Sequence, residues 1–111
     1  MTEPLLDPSV FDDLSEAMGA DFAAELVTTF LDDAPNMLAA LRDAAASGDA
    51  DAFRRAAHSI KSNADVFGAS ALAARARAME MTALSDATPP IPQLEATYDA
   101  TATALRALLD E

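Results

Sequence analysis

The chain has 111 residues, enough for one domain that buries about two-thirds of its unfolded surface and too few for a second core. It holds no cysteine, which excludes disulfides, thiolate nucleophiles and Cys-ligated metal. A net charge of −12, from 7 basic and 19 acidic residues, excludes a sequence-independent nucleic-acid binder.

Composition favours helices. There are 28 alanines and only 3 glycines, with few aromatic or β-branched residues. Alanine is the best helix former, whereas strands select β-branched and aromatic side chains. No apolar run approaches the ~18 residues of a membrane span. Met1-Thr2-Glu3-Pro4 carries no basic leader, so a soluble cytoplasmic protein is expected. Residues 1–7 are expected to be a flexible start and residues 8–111 one helical domain. Pro8 and Ser9 then open a short helix with Val10, Phe11, Leu14 and Met18, ended by Gly19.

A longer helix is predicted from Asp21, with Phe22, Leu26, Val27, Phe30, Leu31, Met37, Leu38 and Leu41 at helical spacing, stopping at Ser47-Gly48. Pro35 inside it is expected to kink it or divide it in two, a kink being favoured. Asp49 or Asp51 can cap a third helix, about 51 to 67, stopped by Gly68. A fourth is predicted over about 69 to 85, with Leu72, Ala76, Met79 and Ala83 on one face. Thr88-Pro89-Pro90 reads as a stiff loop. The last helix carries Ile91, Leu94, Tyr98, Thr101, Leu105 and Leu108, spaced by three and four. That seam suits near-antiparallel neighbours. The predicted fold class is all-α: an antiparallel four-helix bundle with a short extra N-terminal helix.

One face stands apart. His58 is the only histidine and Lys61 the only lysine, three residues apart and therefore neighbours on a helix. At about 100° per residue, Phe53, Ala56, Ile60, Ala64 and Phe67 share one side of the third helix. His58 points the other way, among Asp51, Arg54, Arg55, Lys61, Ser62 and Asp65. Residues 54–77 hold five of the seven basic residues and one acid, so this window is +4 while the remainder is −16. A lone histidine in a locally positive region points to an acidic or phosphorylated partner.

On position alone, a single exposed histidine is most often merely solvated. The Met and Leu stripes read as core. Asp12-Asp13 and Asp32-Asp33 are adjacent in sequence and diverge on a helix, so they are poor acid–base pairs and read as first-turn or capping charges. One histidine without cysteine is weak evidence for metal, and no Gly-rich phosphate loop or nucleophile elbow is present.

The stretch Ala57-His58-Ser59-Ile60-Lys61-Ser62, continuing through Gly68 to Leu72, weighs against the merely solvated reading. It resembles the signature of histidine-containing phosphotransfer (HPt) domains, roughly A-H-x-L-K-G-x-x-x-x-x-G-x-x-x-L. The likeness continues to Met79-Glu80 and reaches back through Leu41, Leu38 and Pro35 to Phe30-Leu31, covering about residues 10–85. Two positions depart from it: Ile60 stands for Leu, and Ser62 stands for the small Gly one turn after the histidine. Serine keeps the position small but puts a hydroxymethyl group beside the imidazole.

Free imidazole has a pKa of about 6.5, so an unperturbed ring is largely neutral and nucleophilic near pH 7. The resemblance implies that His58 accepts a phosphoryl group, that Lys61 balances its charge, and that Glu80 orients the ring. Arg54, Arg55, Ser62 and Asp65 are then expected to meet the partner. That partner would be a response-regulator receiver domain, or a hybrid or sensor histidine kinase. The chain would need no cofactor of its own, the receiver bringing Mg²⁺ with its aspartate. It would act as a monomeric phosphocarrier and not as an enzyme, with no nucleic-acid or membrane partner. Two other readings stay open: a helical adaptor that binds a receiver without phosphotransfer, and a purely structural acidic bundle. Ends at Met1 and Glu111 are expected of a stand-alone protein, and a piece of a hybrid kinase would look the same.

Overall fold

The computed structural model describes residues 6–81 and 91–109. These form five helices: α1 (Pro8–Met18), α2 (Ala20–Ser47), α3 (Ala50–Val66), α4 (Ser70–Glu80) and α5 (Ile91–Leu109). No strand occurs among the described residues. The all-helical prediction therefore holds. Ala83 and Thr88-Pro89-Pro90 lie outside the described residues. Met81 is a turn, so α4 ends at Glu80, short of the predicted residue 85.

Capping chemistry sets several boundaries. Asp7 caps α1, its carboxylate accepting from the Ser9 N–H at 3.0 Å, with Pro8 at the first helical position. Of the two candidates for α3, Asp49 is the cap and accepts from the Ala52 N–H at 3.0 Å; Asp51 falls in the first turn. Gly48 closes α2 in the left-handed region, φ 71°, where a side chain would be strained.

Of the two outcomes expected at Pro35, division is ruled out: α2 runs undivided through it, its ring lies on an exposed face, and its missing N–H leaves one backbone carbonyl to other partners. Asp32-Asp33 consequently sits in a helix interior, and Asp12-Asp13 beyond the first turn of α1, so neither pair caps anything. Leu6 and Asp7, at the end of the stretch expected to be flexible, both touch the helical domain. The Asp7 N–H donates to the Gly68 carbonyl at 2.9 Å, and Leu6 packs against the core.

The core is built from the faces that periodicity predicts. α2 contributes Val27, Phe30, Ala34, Leu38 and Leu41, and α3 contributes Phe53, Ala57, Ile60 and Ala64. Leu72, Ala76 and Met79 come from α4, and Leu94, Tyr98, Thr101 and Leu105 from α5. Phe30 meets Phe67 at 5.5 Å between ring centroids and Tyr98 edge-on at 6.1 Å, tying three segments together. Burial pushes the Tyr98 phenol above its ordinary value, with Arg106 opposing and Asp99 adding to the shift. Thr101, fully buried, donates its hydroxyl to the Thr97 carbonyl at 2.7 Å. Two apolar residues placed with the helical stripes are exposed instead, Met18 at 53% and Phe22 at 41%.

Helix α3 packs on α2 and α4, α5 packs on α4 and α2, and α1 lies against α2. The α3–α4 corner is tight. The Phe67 and Ala69 N–H groups both donate to the Ala64 carbonyl, and Gly68 takes φ 66°. A Cβ on Gly68 would stand 2.9 Å from Val10 and 3.1 Å from Asp7, so glycine is needed both for the backbone and for the close approach of α1. No described helix is long and apolar enough to cross a membrane.

Candidate functional site

The corner at Gly68 sends α4 back along α3. His58 lies ten residues before Gly68 and Glu80 twelve after it. At about 1.5 Å rise per residue, the two come level to within about 3 Å along paired helix axes. The structure brings them together: Nδ1 of His58 lies 3.0 Å from Oε1 of Glu80.

A carboxylate can only accept, so this contact puts the ring proton on Nδ1 and leaves the lone pair of the neutral ring on Nε2. The His58 side chain is 59% exposed, and that of Glu80 only 26%. The carboxylate is thus tucked against the helix pair while the ring projects outward. Helix periodicity explains this. Phe53, Ala57, Ile60 and Ala64 bury the opposite face of α3, so residue 58 cannot turn into the core.

The remaining predicted residues surround the ring. Ser62, one turn on, has its Oγ 3.4 Å from Nε2. Lys61 lines a shallow hollow with His58 and Glu80, and its Nζ lies 3.6 Å from Asp65. Arg54 lines the same hollow while its guanidinium donates to Asp51 at 2.8 Å. Arg55 lines an adjoining hollow with Ser59, which Arg54, His58 and Glu80 also line. Asp65 is the outlier: it meets Lys61 and lines neither of these two hollows.

Sequence reasoning missed two residues here. Arg77 and Met81, from α4 and the turn after it, line the hollow that holds His58 and Lys61. Arg77 lies three residues before Glu80 and shares its face, so the placement of Glu80 could have revealed it. Met81 is 75% exposed, an apolar side chain within a polar rim. Arg54, Lys61 and Arg77 set three cations and one carboxylate, Glu80, around the ring's hollow on an otherwise acidic protein. The arrangement offers a held imidazole with an outward lone pair among cations, suited to an anionic electrophile.

Comparison with known proteins gives a consistent result. A family model described as Hpt domain matches residues 25–111. Among solved structures, the chain is similar to histidine-containing phosphotransfer protein B (HptB) from Pseudomonas aeruginosa PAO1, at a TM-score of 0.87 and 31% identity, over 96% of this chain and 95% of that one. A comparison with curated proteins gives no match.

Proposed function

The chain belongs to the Hpt domain family, and on that premise we propose that it is a phosphorelay intermediate carrying a phosphoryl group on Nε2 of His58. Members of this family are phosphocarriers and not catalysts in their own right. In this reading α2 to α5 form an antiparallel four-helix bundle, α1 is the short extra helix, and α3 presents the nucleophile on a rigid post.

Transfer runs through one nitrogen. The Nε2 lone pair attacks the phosphorus of an aspartyl phosphate on a receiver domain. The N–P bond forms as the P–O bond to the carboxylate breaks, and that electron pair leaves with the carboxylate. Nδ1 keeps its proton against Glu80, whose negative charge faces the ring as it becomes positive. The reverse step delivers the phosphoryl group to the aspartate of a response regulator. Loading by a hybrid or sensor histidine kinase follows the same chemistry at His58. Mg²⁺ belongs to the receiver's pocket, and this chain needs no cofactor of its own.

Lys61 balances the phosphoryl charge as a compact cation. Arg54, Arg55, Ser62 and Asp65 meet the docked receiver, with Arg77 and Met81 beside them. The protein acts in the cytoplasm as a monomer. The observation that carries the reading is the 3.0 Å contact of Nδ1 with Glu80 on a ring that is 59% exposed, because it leaves the far nitrogen with the lone pair that attacks. Mixing the protein with a panel of phosphorylated receiver domains tests it. Label appearing on this chain is expected. A receiver that binds without passing label would favour the adaptor reading.

A further inference from the structure

Hydroxyls on these helices have a common habit. Thr28, Thr97, Thr101 and Thr103 each donate to the backbone carbonyl four residues back, at 2.7 to 3.1 Å. Ser62 follows His58 at the same spacing, yet its hydroxyl turns to the ring, with Oγ 3.4 Å from Nε2. With the Nδ1 proton held at Glu80, Nε2 has a lone pair and no proton. Of the two atoms only the hydroxyl can donate.

We propose that Ser62 is a positioning residue for the acceptor nitrogen, its hydroxyl capping the Nε2 lone pair in the free protein and swinging off before an electrophile can bond there. The inference rests on the reading of His58 as phosphoacceptor and adds a restraint to it: the attacking atom is covered until a partner arrives. Capping also favours the Nδ1–H tautomer, so Ser62 and Glu80 hold the ring from its two ends. The contact is long and both side chains are exposed, so the cap is light. Its removal is expected to speed reaction at Nε2 about two- to threefold.

Bulk and hydroxyl are separable. Ser62→Ala removes only the hydroxyl, while Ser62→Gly removes the side chain as well. Both variants are compared with wild type using diethyl pyrocarbonate, which needs no partner protein. In that reaction Nε2 attacks a carbonyl carbon, the N–C bond forms, and the C–O bond to ethyl carbonate breaks with its electron pair. The Nδ1 proton passes to solvent. Because His58 is the only histidine, modification is read as the mass gained by the peptide that contains it.

At the pH plateau of the rate, Ser62→Ala and Ser62→Gly are each expected to react about two- to threefold faster than wild type. Their Nε2 nitrogen-15 resonance is expected to move towards that of a lone pair without a donor. A Ser62→Ala rate equal to wild type overturns the proposal, as does acceleration in Ser62→Gly alone, which would assign the effect to bulk. Transfer from a phosphorylated receiver, run on the same three proteins, separates the two claims. Faster acylation with no transfer in any protein keeps the cap and removes the phosphoacceptor reading. Normal transfer with unchanged acylation does the reverse.

Discussion

Glu80→Ala removes the one acceptor that holds Nδ1 of His58. A hydrogen bond to a charged group contributes about 1.5–3 kcal/mol when well shielded. The His58 side chain is 59% exposed and that of Glu80 26%, so solvent reduces this to about 1 kcal/mol. That corresponds to about a fivefold change in the ratio of the two neutral tautomers. Nitrogen-15 NMR of the single imidazole reads this ratio directly, since the protonated and unprotonated ring nitrogens resonate far apart. Wild type is expected to show the proton on Nδ1, and Glu80→Ala a shift of population towards Nε2–H. Transfer from a receiver should slow by up to the same factor, because less of the ring presents its lone pair outward. Glu80→Gln keeps a neutral acceptor and is expected to fall between them. A tautomer ratio identical in wild type and Glu80→Ala would show that the 3.0 Å contact does not orient the ring in solution.

Lys61→Ala is expected to slow transfer about two- to fivefold while leaving His58 able to take label, as measured by rapid-quench labelling; the partly exposed ammonium contributes about 0.5–1 kcal/mol. Gly68→Ala is expected to destabilise the fold by about 2–4 kcal/mol in urea denaturation, from strain at φ 66° and the 2.9 Å approach to Val10. A loss below about 1 kcal/mol would mean that α1 yields easily at that corner. Tyr98 sets an alkaline limit. Its phenol is raised from the ordinary value of 10.0, so above that pH the unfolded chain ionises first and the folded state loses relative stability. The contribution is intact below pH 10 and is lost as pH rises through the raised folded value. Tyr98→Phe should therefore flatten the stability profile in that window.

Much of this site is legible in the sequence. The alternation of Phe53, Ile60 and Ala64 put His58 on the solvent face of α3, which is where it stands. Proline and glycine marked α1 and the ends of α2 and α3 closely, because helix ends are local chemistry. What escaped was tertiary. Periodicity says which residues share a face, not what covers it, so Met18 and Phe22 were placed with the core stripes although both are exposed. Arg77 and Met81 reach the ring only because α4 folds back on α3. The docking of Asp7 on Gly68 joins positions sixty-one residues apart and leaves no local signal. At Pro35 only the division fails: Asp32-Asp33 before it resemble a cap, but an exposed proline is tolerated within a 28-residue helix held by packing on both sides of it.

The central claim is that His58 itself carries the phosphoryl group. It is tested most directly by incubating wild type and His58→Gln with a phosphorylated receiver and following the label on this chain. A phosphohistidine is acid-labile and alkali-stable, and His58 is the only residue that can form one. Since the side chain is exposed, His58→Gln is expected to keep its fold by circular dichroism and to take no label. Label that persists in His58→Gln, or that survives acid, would contradict the account.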